Sequence, residues 1–483
     1  MSGPVLASLV GGHRLEGHEM VLDINPSAPD EHVAIVALAG PEIAAEAAEA
    51  AANAFARWRD TPPPARGDVL RRAADLVDER AEPIGRDLAR EEGKTLVEAV
   101  GETRRAAAIL RYYAGQTLEP DGETYPSHSA LTFLYARREP LGVVTAITPW
   151  NFPIAIPAWK IAPAVAFGNT LVWKPAEIVP LTSTHFATAL RDAGLPDGVL
   201  NLVLGRGSVV GDTLVTHDRV EAVTFTGSNT VGRAIELKAT EAGKKVQLEL
   251  GGKNPAVVLA DADLELAVEQ VARGAFLSAG QKCTATSRVI VEQQVLEEFG
   301  DRLAAVARSW PVGNPLDEET KVGPLASKSQ LDTVFGYLDI AESEAARVLV
   351  GGGCPDHGGG YFVEPTVLAD LPATSRVVRE EIFGPVAALL PAGSYEDAIA
   401  LANDTPFGLT AALFTRDLGK ALRFSRDIRA GVVKVNQESA GLEFQAPFGG
   451  MRQSSSGSRE QGKVARDFFT QWKTVYLDAP PTE

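Results

Sequence analysis

The sequence predicts an α/β protein built on doubly wound parallel sheets, and three observations predict it. From Leu141 onward, short apolar runs alternate with helical stretches in β-α-β-α order. Glycine turns directly follow several of those runs. The polar residues Asn151, Lys174, Glu177 and Ser228 fall at the carboxyl ends of runs, where such sheets bind ligands.

The elements follow in order. PEIAAEAAEAAANAFARWR, from Pro41 to Arg59, is alanine-rich and helical in period. Further helical patterns cover Ala65 to Arg80 and Ile84 to Tyr113. LEPDGETYPSHSALTFLYARREP, from Leu118 to Pro140, trades turn formers for alternating residues and predicts an excursion carrying a strand. LGVVTAITPWNFP and GNTLVWKPAE each read as a strand running into a turn. Helical STHFATALRDAG leads to the strand GVLNLVLG, and RVEAVTFTGS is a strand entering a glycine turn. A second α/β series runs from near Gly251 to about Val435 and includes ATSRVIVE, EPTVLADL, FGPVAALLPA and GLTAALFT. WKTVYLDAP is a last strand, expected to pair with the excursion or with another subunit, which points to an oligomer.

With 483 residues the chain exceeds what one core usually supports, so two or three domains are expected. A hydrophobic content of 45% and a charged content of 23% are those of a soluble globular protein. No apolar run approaches the roughly 20 residues of a membrane helix, and MSGPVLASLVGGHRLEG lacks the basic start of a signal peptide. A cytoplasmic protein is expected. The net charge of −17 argues against nucleic acid and anionic membranes as partners. Two cysteines allow no disulfide framework, and seven histidines without CxxC or HExxH point to no metal. Cys354 and His357, in GGGCPDHGGG, read as an exposed turn.

The chemistry centres on Cys283 in SAGQKCTATS. A free cysteine is usually a small buried hydrophobe, yet this segment carries glycine, lysine and hydroxyls that a core strand seldom holds. A nucleophilic thiolate needs a cationic or dipolar setting, which Lys282 and nearby backbone N–H groups could supply. No histidine lies between His217 and His357, so a carboxylate is the alternative base. Glu249, in LELGGKNP, ends an apolar strand at two glycines. Burial there would raise its pKa into the range of a general base, or it caps the turn or pairs with Lys253. Asn151, in TPWNFP, offers an amide on a turn stiffened by two prolines, either as an oxyanion donor or as a turn asparagine bonding its own backbone.

Two glycine loops and one strand end read as nucleotide contacts. GRGSVVG, with Gly205, Gly207 and Gly211, has one residue more than the dinucleotide fingerprint. FTGSNTVG, from Phe225 to Gly232, follows a strand and opens a helix, so its N–H groups and Ser228 suit a pyrophosphate. Lys174 and Glu177, in WKPAE, end a strand, and a carboxylate there accepts bonds from ribose hydroxyls and repels a 2′-phosphate.

TPWNFP, WKPAE, FTGS, LELGGKNP, GQKC, EEIFGPV and PFGG occur in the order and at the spacings of the NAD(P)-dependent aldehyde dehydrogenase superfamily, and the chain resembles it from about Asp23 to the final strand. The resemblance implies a Rossmann-like cofactor domain over residues 1–120 and 141–250 and a catalytic domain over 251–450. It also implies an oligomerisation arm with a C-terminal segment over 121–140 and 451–483. It implies Cys283 as nucleophile, Glu249 as general base, Asn151 as oxyanion donor and Lys160, in PAWK, near the machinery. For the cofactor, NAD with NADP as the alternative, it implies Thr148, Trp150, Lys174, Glu177, Gly207, Gly211, Phe225, Gly227, Ser228, Leu250, Glu381 and Phe383. No metal is implied.

One departure bears on the substrate. Most of the family reads PFGG-x-K-x-SG-x-GRE. Here PFGGMRQSSSGSREQG places Arg452 where lysine is usual and Ser455 where glycine is usual, with one extra residue before Arg459. This form is similar to the branch of α-ketoglutaric semialdehyde (2,5-dioxopentanoate) dehydrogenases. Succinic semialdehyde and simple aliphatic or aromatic aldehydes are the alternative substrates, and a CoA-acylating enzyme or a non-catalytic binding protein are the rival functions. A distal carboxylate calls for a cation, for which Arg288 and Arg452 are candidates.

Overall fold

The computed structural model describes residues 3–355 and 357–479. An eight-stranded sheet runs in the order Ser455–Ser456, Lys245–Glu249, Val220–Thr226, Val143–Ile147, Thr170–Lys174, Leu200–Leu202, Ser8–Val10, His13–Leu15. Its five central strands are parallel. VVTAI and TLVWK are buried at every position, as parallel strands covered on both faces must be. Alternate residues of the same strands feed two cores: Val144, Ala146, Leu171 and Trp173 on one face, and Val143, Ile147 and Val172 on the other. The helix Pro41–Arg59 covers the second face with an alanine stripe, its small side chains allowing close approach to the sheet.

A seven-stranded sheet follows, ordered Arg347–Val350, Thr366–Ala369, Val386–Ala392, Thr286–Glu292, Asn254–Val258, Thr410–Phe414, Val432–Val435. The strands read from ATSRVIVE, EPTVLADL, FGPVAALLPA and GLTAALFT are all in it, and the six strands from Thr366–Ala369 to Val432–Val435 are parallel, with Arg347–Val350 antiparallel at the edge. The terminal strand Thr470–Asp478 pairs antiparallel with Thr132–Pro140 of the excursion, in the same chain. Gly122–Tyr125 completes that three-stranded arm.

Two features depart from the sequence reading. The first 40 residues, unassigned by pattern, supply short strands. Ser8–Val10 and His13–Leu15 extend the eight-stranded sheet, and Val5–Leu6, His32–Leu38 and Glu19–Ile24 form a small sheet of their own. The helix expected from Ile84 to Tyr113 is two helices, Ala81–Glu92 and Leu96–Gln116. Gly93 ends the first with φ of 98°, a left-handed conformation glycine adopts without strain. Thr95 starts the second in a capping box with Glu98. Among the described residues no helix is long and apolar enough to cross a membrane.

Thr95→Ala removes the cap, and the denaturant midpoint should fall by the equivalent of about 1 kcal/mol. An unchanged midpoint would show that the tertiary contacts of the helix hold it without the cap.

Candidate active site

The segment carrying Cys283 is set by a left-handed turn. After the helix Leu264–Phe276, Ser278, Ala279 and Gly280 have φ of 54°, 50° and 67°. Such backbone costs an ordinary residue on the order of 1 kcal/mol or more, so surrounding contacts must hold it. Glu98 does so, its Oε1 accepting from the Ser278 backbone N–H at 2.8 Å and from its hydroxyl at 2.9 Å. At Gly280 a side chain is excluded, because a Cβ would lie 2.2 Å from the Gly384 carbonyl oxygen. Beyond the turn, the Gln281 carbonyl accepts from Asn151 Nδ2 at 2.9 Å. The Cys283 carbonyl accepts from Asn254 Nδ2 at 2.7 Å, and that same amide nitrogen donates to Ala285. Cys283 itself remains partly exposed.

Glu249 is the last residue of its strand and is 2% exposed. Its Oε2 accepts from Ser455 Oγ at 2.6 Å, while Oε1 has no partner among the described residues. Gly449 leaves room for that oxygen, since a Cβ there would lie 2.6 Å from it. Burial, then the charge of Glu460, pushes the Glu249 carboxyl well above the usual range; Ser455, Lys160 and Arg459 pull the other way. Lys160 is paired with Glu460 and donates to Thr224 Oγ1 at 2.8 Å. Trp159 Nε1 also donates to Glu460, at 2.8 Å. Burial, then the charges of Glu381, Glu249 and Glu460, pushes the Cys283 thiol up.

The two glycines of LELGGKNP clear space for two different groups. A Cβ at Gly251 would meet Glu381 Oε2 at 2.1 Å, and one at Gly252 would meet the Cys283 carbonyl oxygen at 3.0 Å. The Gly252 N–H donates to Glu381 Oε1 at 2.9 Å. Glu381, Cys283 and Glu249 are thereby gathered around one turn.

A second cluster lies at the carboxyl ends of the parallel strands. Glu177 Oε1 accepts from the Gly207 N–H at 2.8 Å, and Lys174 Nζ lies 3.9 Å from the same oxygen. Gly211 is bare: nothing would touch a Cβ there within 4 Å. Ser228 caps the helix Asn229–Glu241, and the Gly227 N–H donates to the Glu249 carbonyl at 3.1 Å. Trp150 and Phe383 meet edge to face with centroids 5.4 Å apart, and Phe383 holds φ of 60°. Thr148 Oγ1 accepts from Trp173 Nε1 at 2.9 Å. A carboxylate at a strand end, a capped helix N-terminus and a ring pair beside the thiol segment make a donor set that fits a dinucleotide.

The aldehyde dehydrogenase family model matches residues 15–475. The chain is 48% identical over 462 residues to an alpha-ketoglutaric semialdehyde dehydrogenase of Bacillus subtilis, covering 95% of each chain. It is 46% identical to an alpha-ketoglutarate semialdehyde dehydrogenase of Haloferax volcanii, covering 94% of each. A crystal structure of betaine aldehyde dehydrogenase from Staphylococcus aureus in complex with NAD+ superposes with a TM-score of 0.95. That protein is 36% identical, and the match covers 99% of this chain and 95% of that one. The chain belongs to the aldehyde dehydrogenase family. It is an NAD(P)-dependent oxidoreductase acting on aldehydes.

Several expectations for this aldehyde dehydrogenase are corrected by the structure. Arg288 is 2% exposed and donates to the carbonyls of Lys253, Leu401 and Ala402, so its guanidinium is a structural clamp. Arg452 donates to the carbonyls of Asn403 and Thr405. The enclosed Arg288 is not free for a substrate carboxylate. Lys282 donates to the Arg273 carbonyl at 3.0 Å, so its ammonium is engaged away from the role expected of it. Phe225 and Leu250 are 4% and 3% exposed and lie in the core, where a Cβ at Gly232 would meet Leu250 at 2.4 Å. Their side chains pack against the glycine turn, where Cβ atoms at Gly227 and Gly232 would meet them.

Other residues of the cluster went unseen in the sequence. Lys94, fully enclosed, pairs with Glu102 at 2.5 Å and donates to the Asn151 carbonyl at 2.6 Å. Glu102 Oε1 accepts from the N–H groups of Ile154 and Ala155, at the start of the next helix. The charged tetrapeptide EEGK inside a helical pattern was the available signal.

Burial raises the Glu381 carboxyl to about 7 from 4.5. A carboxyl raised on folding contributes stability below its unfolded pKa and loses it as pH rises toward the folded value. The unfolding free energy of Glu381→Gln minus that of the parent should therefore increase between pH 5 and pH 8. A difference that stays constant with pH would contradict this environment.

Proposed function

We propose that this enzyme oxidises α-ketoglutaric semialdehyde to 2-oxoglutarate with NAD, through a thioester on Cys283 that Glu249 resolves by hydrolysis. One observation carries the reading of the chemistry. Asn151's amide is tied to the Cys283 loop, and a buried Glu249 oxygen without a protein partner lies in the same cluster.

The thiol of Cys283 gives its proton to solvent, and its sulfur adds to the aldehyde carbon. The oxygen of the adduct gains negative charge, which the second hydrogen of the Asn151 amide and the Cys283 backbone N–H stabilise. When bound, NAD supplies the hydride acceptor for the oxidation. Cys283 then carries the acyl group. Glu249 Oε1 accepts a proton from water, the water oxygen adds to the acyl carbon, and the C–S bond breaks to free the acid and the thiol. A carboxylate placed to activate water supports hydrolysis over transfer to CoA. Lys160, paired with Glu460, adds positive charge near Glu249 and opposes its shift.

Within the proposed cofactor site, Lys174 and Glu177 would hold the adenosine ribose, with Gly207 and Gly211 beside it. Gly227 and Ser228 would face the pyrophosphate, and Glu381, Phe383, Trp150 and Thr148 the nicotinamide end. Glu177 favours NAD over NADP by repelling a 2′-phosphate. The proposed division assigns residues 1–120 and 141–250 to cofactor binding, 251–450 to catalysis, and 121–140 with 451–483 to an arm and tail. Exposed Tyr125, Phe133, Trp472, Tyr476 and Leu477 on that arm support a homo-oligomer, and the proposed location is cytoplasmic.

The substrate rests on the relatives of Bacillus subtilis and Haloferax volcanii and on a third, a 2,5-dioxopentanoate dehydrogenase of Saccharolobus solfataricus at 41% identity. With Arg288 held by three carbonyls, Arg105 becomes the proposed partner of the distal carboxylate. It is partly buried, donates to the Leu442 carbonyl in the ESAGLEFQAPFGG segment, and has no ion pair among the described residues.

A panel of α-ketoglutaric semialdehyde, succinic semialdehyde and simple aliphatic and aromatic aldehydes, run with both nucleotides, tests the reading. The highest kcat/KM should belong to α-ketoglutaric semialdehyde with NAD. Arg105→Leu should raise KM about tenfold for the two semialdehydes, or about 1.4 kcal/mol, and leave the simple aldehydes unchanged. Equal kcat/KM across the panel would refute the substrate, and NADH formation by Cys283→Ala at the parent rate would refute the chemistry.

A further inference from the structure

Ser455 stands where the family usually has glycine, in a turn one residue longer than usual, and its hydroxyl bonds the proposed general base. The two-residue strand Ser455–Ser456 pairs antiparallel at the edge of the eight-stranded sheet, with Glu249 opposite Ser455 and Leu248 opposite Ser456. Directly opposed residues project to the same face, so the longer turn brings the Ser455 side chain beside Glu249. The Leu250 N–H donates to the Ser454 carbonyl at 2.8 Å and fixes this register.

The hydrogen bonds form a directed chain. The Gly450 N–H donates to Ser455 Oγ at 2.6 Å, and Ser455 Oγ donates to Glu249 Oε2 at 2.6 Å. The hydroxyl's single proton is thus committed to the carboxylate. With Oε2 held, Oε1 is the oxygen left without a protein partner, turned toward the space that Gly449 leaves open.

We infer that Ser455 is a positioning residue of this enzyme, one that holds Glu249 by one oxygen, presents the other to water, and favours the carboxylate form that hydrolysis requires. This rests on the proposed role of Glu249 as the base of thioester hydrolysis.

The charged groups around Glu249 show what the hydroxyl must counter. Glu460, beside Lys160, raises the Glu249 carboxyl along with burial. Lys160 and Arg459 oppose it from a helix and from the longer turn. Glu381 and Cys283 lie across Gly251 and Gly252. A hydrogen bond to the ionised form lowers a carboxyl's pKa, so loss of the hydroxyl should raise it.

The test uses the full-length enzyme without nucleotide and with p-nitrophenyl acetate. This activated ester acylates a nucleophilic thiol by displacing p-nitrophenolate: the S–C bond forms, the acyl C–O bond breaks, and no oxidant is needed. Stopped flow separates the burst, which reports acylation of Cys283, from the steady phase, which reports hydrolysis. For Ser455→Ala the pH midpoint of the steady phase should move up by about one unit or more. Its rate at pH 7 should fall about tenfold, with the burst rate within twofold of the parent. Ser455→Thr, which keeps the hydroxyl, should restore the midpoint. Ser455→Gly provides a second deletion of the hydroxyl, expected to match Ser455→Ala. An unmoved midpoint in both deletions would overturn the inference, as would equal slowing of both phases or failure of Ser455→Thr to restore the profile. If Glu249→Gln hydrolyses the acyl group at the parent rate, the base itself has been misassigned. If Glu249→Gln is slow while Ser455→Ala behaves as the parent, only the role of Ser455 fails.

Discussion

Burying a carboxyl is the constraint on which this site depends. Water stabilises an ionised carboxylate strongly, and enclosure withdraws that stabilisation unless donors replace it. Here Glu249, Glu381, Glu460 and Glu102 each have a different set of replacements. Glu102 has an ammonium and two helix N–H groups. Glu460 has Lys160 and the Trp159 indole. Glu381 has one backbone N–H, and Glu249 one hydroxyl and an oxygen with nothing. The gradient runs from fully compensated groups that fix structure to under-compensated groups that remain available to react.

Compensated carboxylates also position the thiol segment and the amide donor. Glu98 holds the left-handed turn before Cys283, and the same residue completes the cap at Thr95. Lys94 grips the carbonyl of Asn151 while the Asn151 amide grips the carbonyl before Lys282. The polar side chains of helix Leu96–Gln116 therefore set both the donor and the nucleophile segment. A rigid frame of this kind lets a transition-state oxyanion meet donors that need not reorganise.

The sheets and strand ends were legible because their signals are local. Runs such as TLVWK are apolar throughout, and the turns after them place Lys174, Glu177 and Ser228 wherever the strand stops. Partner choice was not legible. Nothing near Arg288 in sequence says that its guanidinium will close on carbonyls more than a hundred residues away, and an arginine beside a reactive cysteine reads equally well as a substrate clamp. Lys282 misled for the same reason. The break at Gly93 was hidden because its flanks are strong helix formers, so one glycine with a capping threonine was outweighed by the pattern around it. Ser455 was visible as a departure from the family, but its pairing with Glu249 needed the strand register.

The central claim is a covalent acyl group on one sulfur, cleared by one carboxylate. Peptide mass spectrometry of Glu249→Gln, quenched after reaction with NAD and α-ketoglutaric semialdehyde, tests it most directly. The peptide containing Cys283 should gain the mass of the acyl group, sensitive to hydroxylamine as a thioester is, with Cys354 unmodified. Product formation at the parent rate with no adduct on Cys283, or an adduct on Cys354 alone, would contradict it.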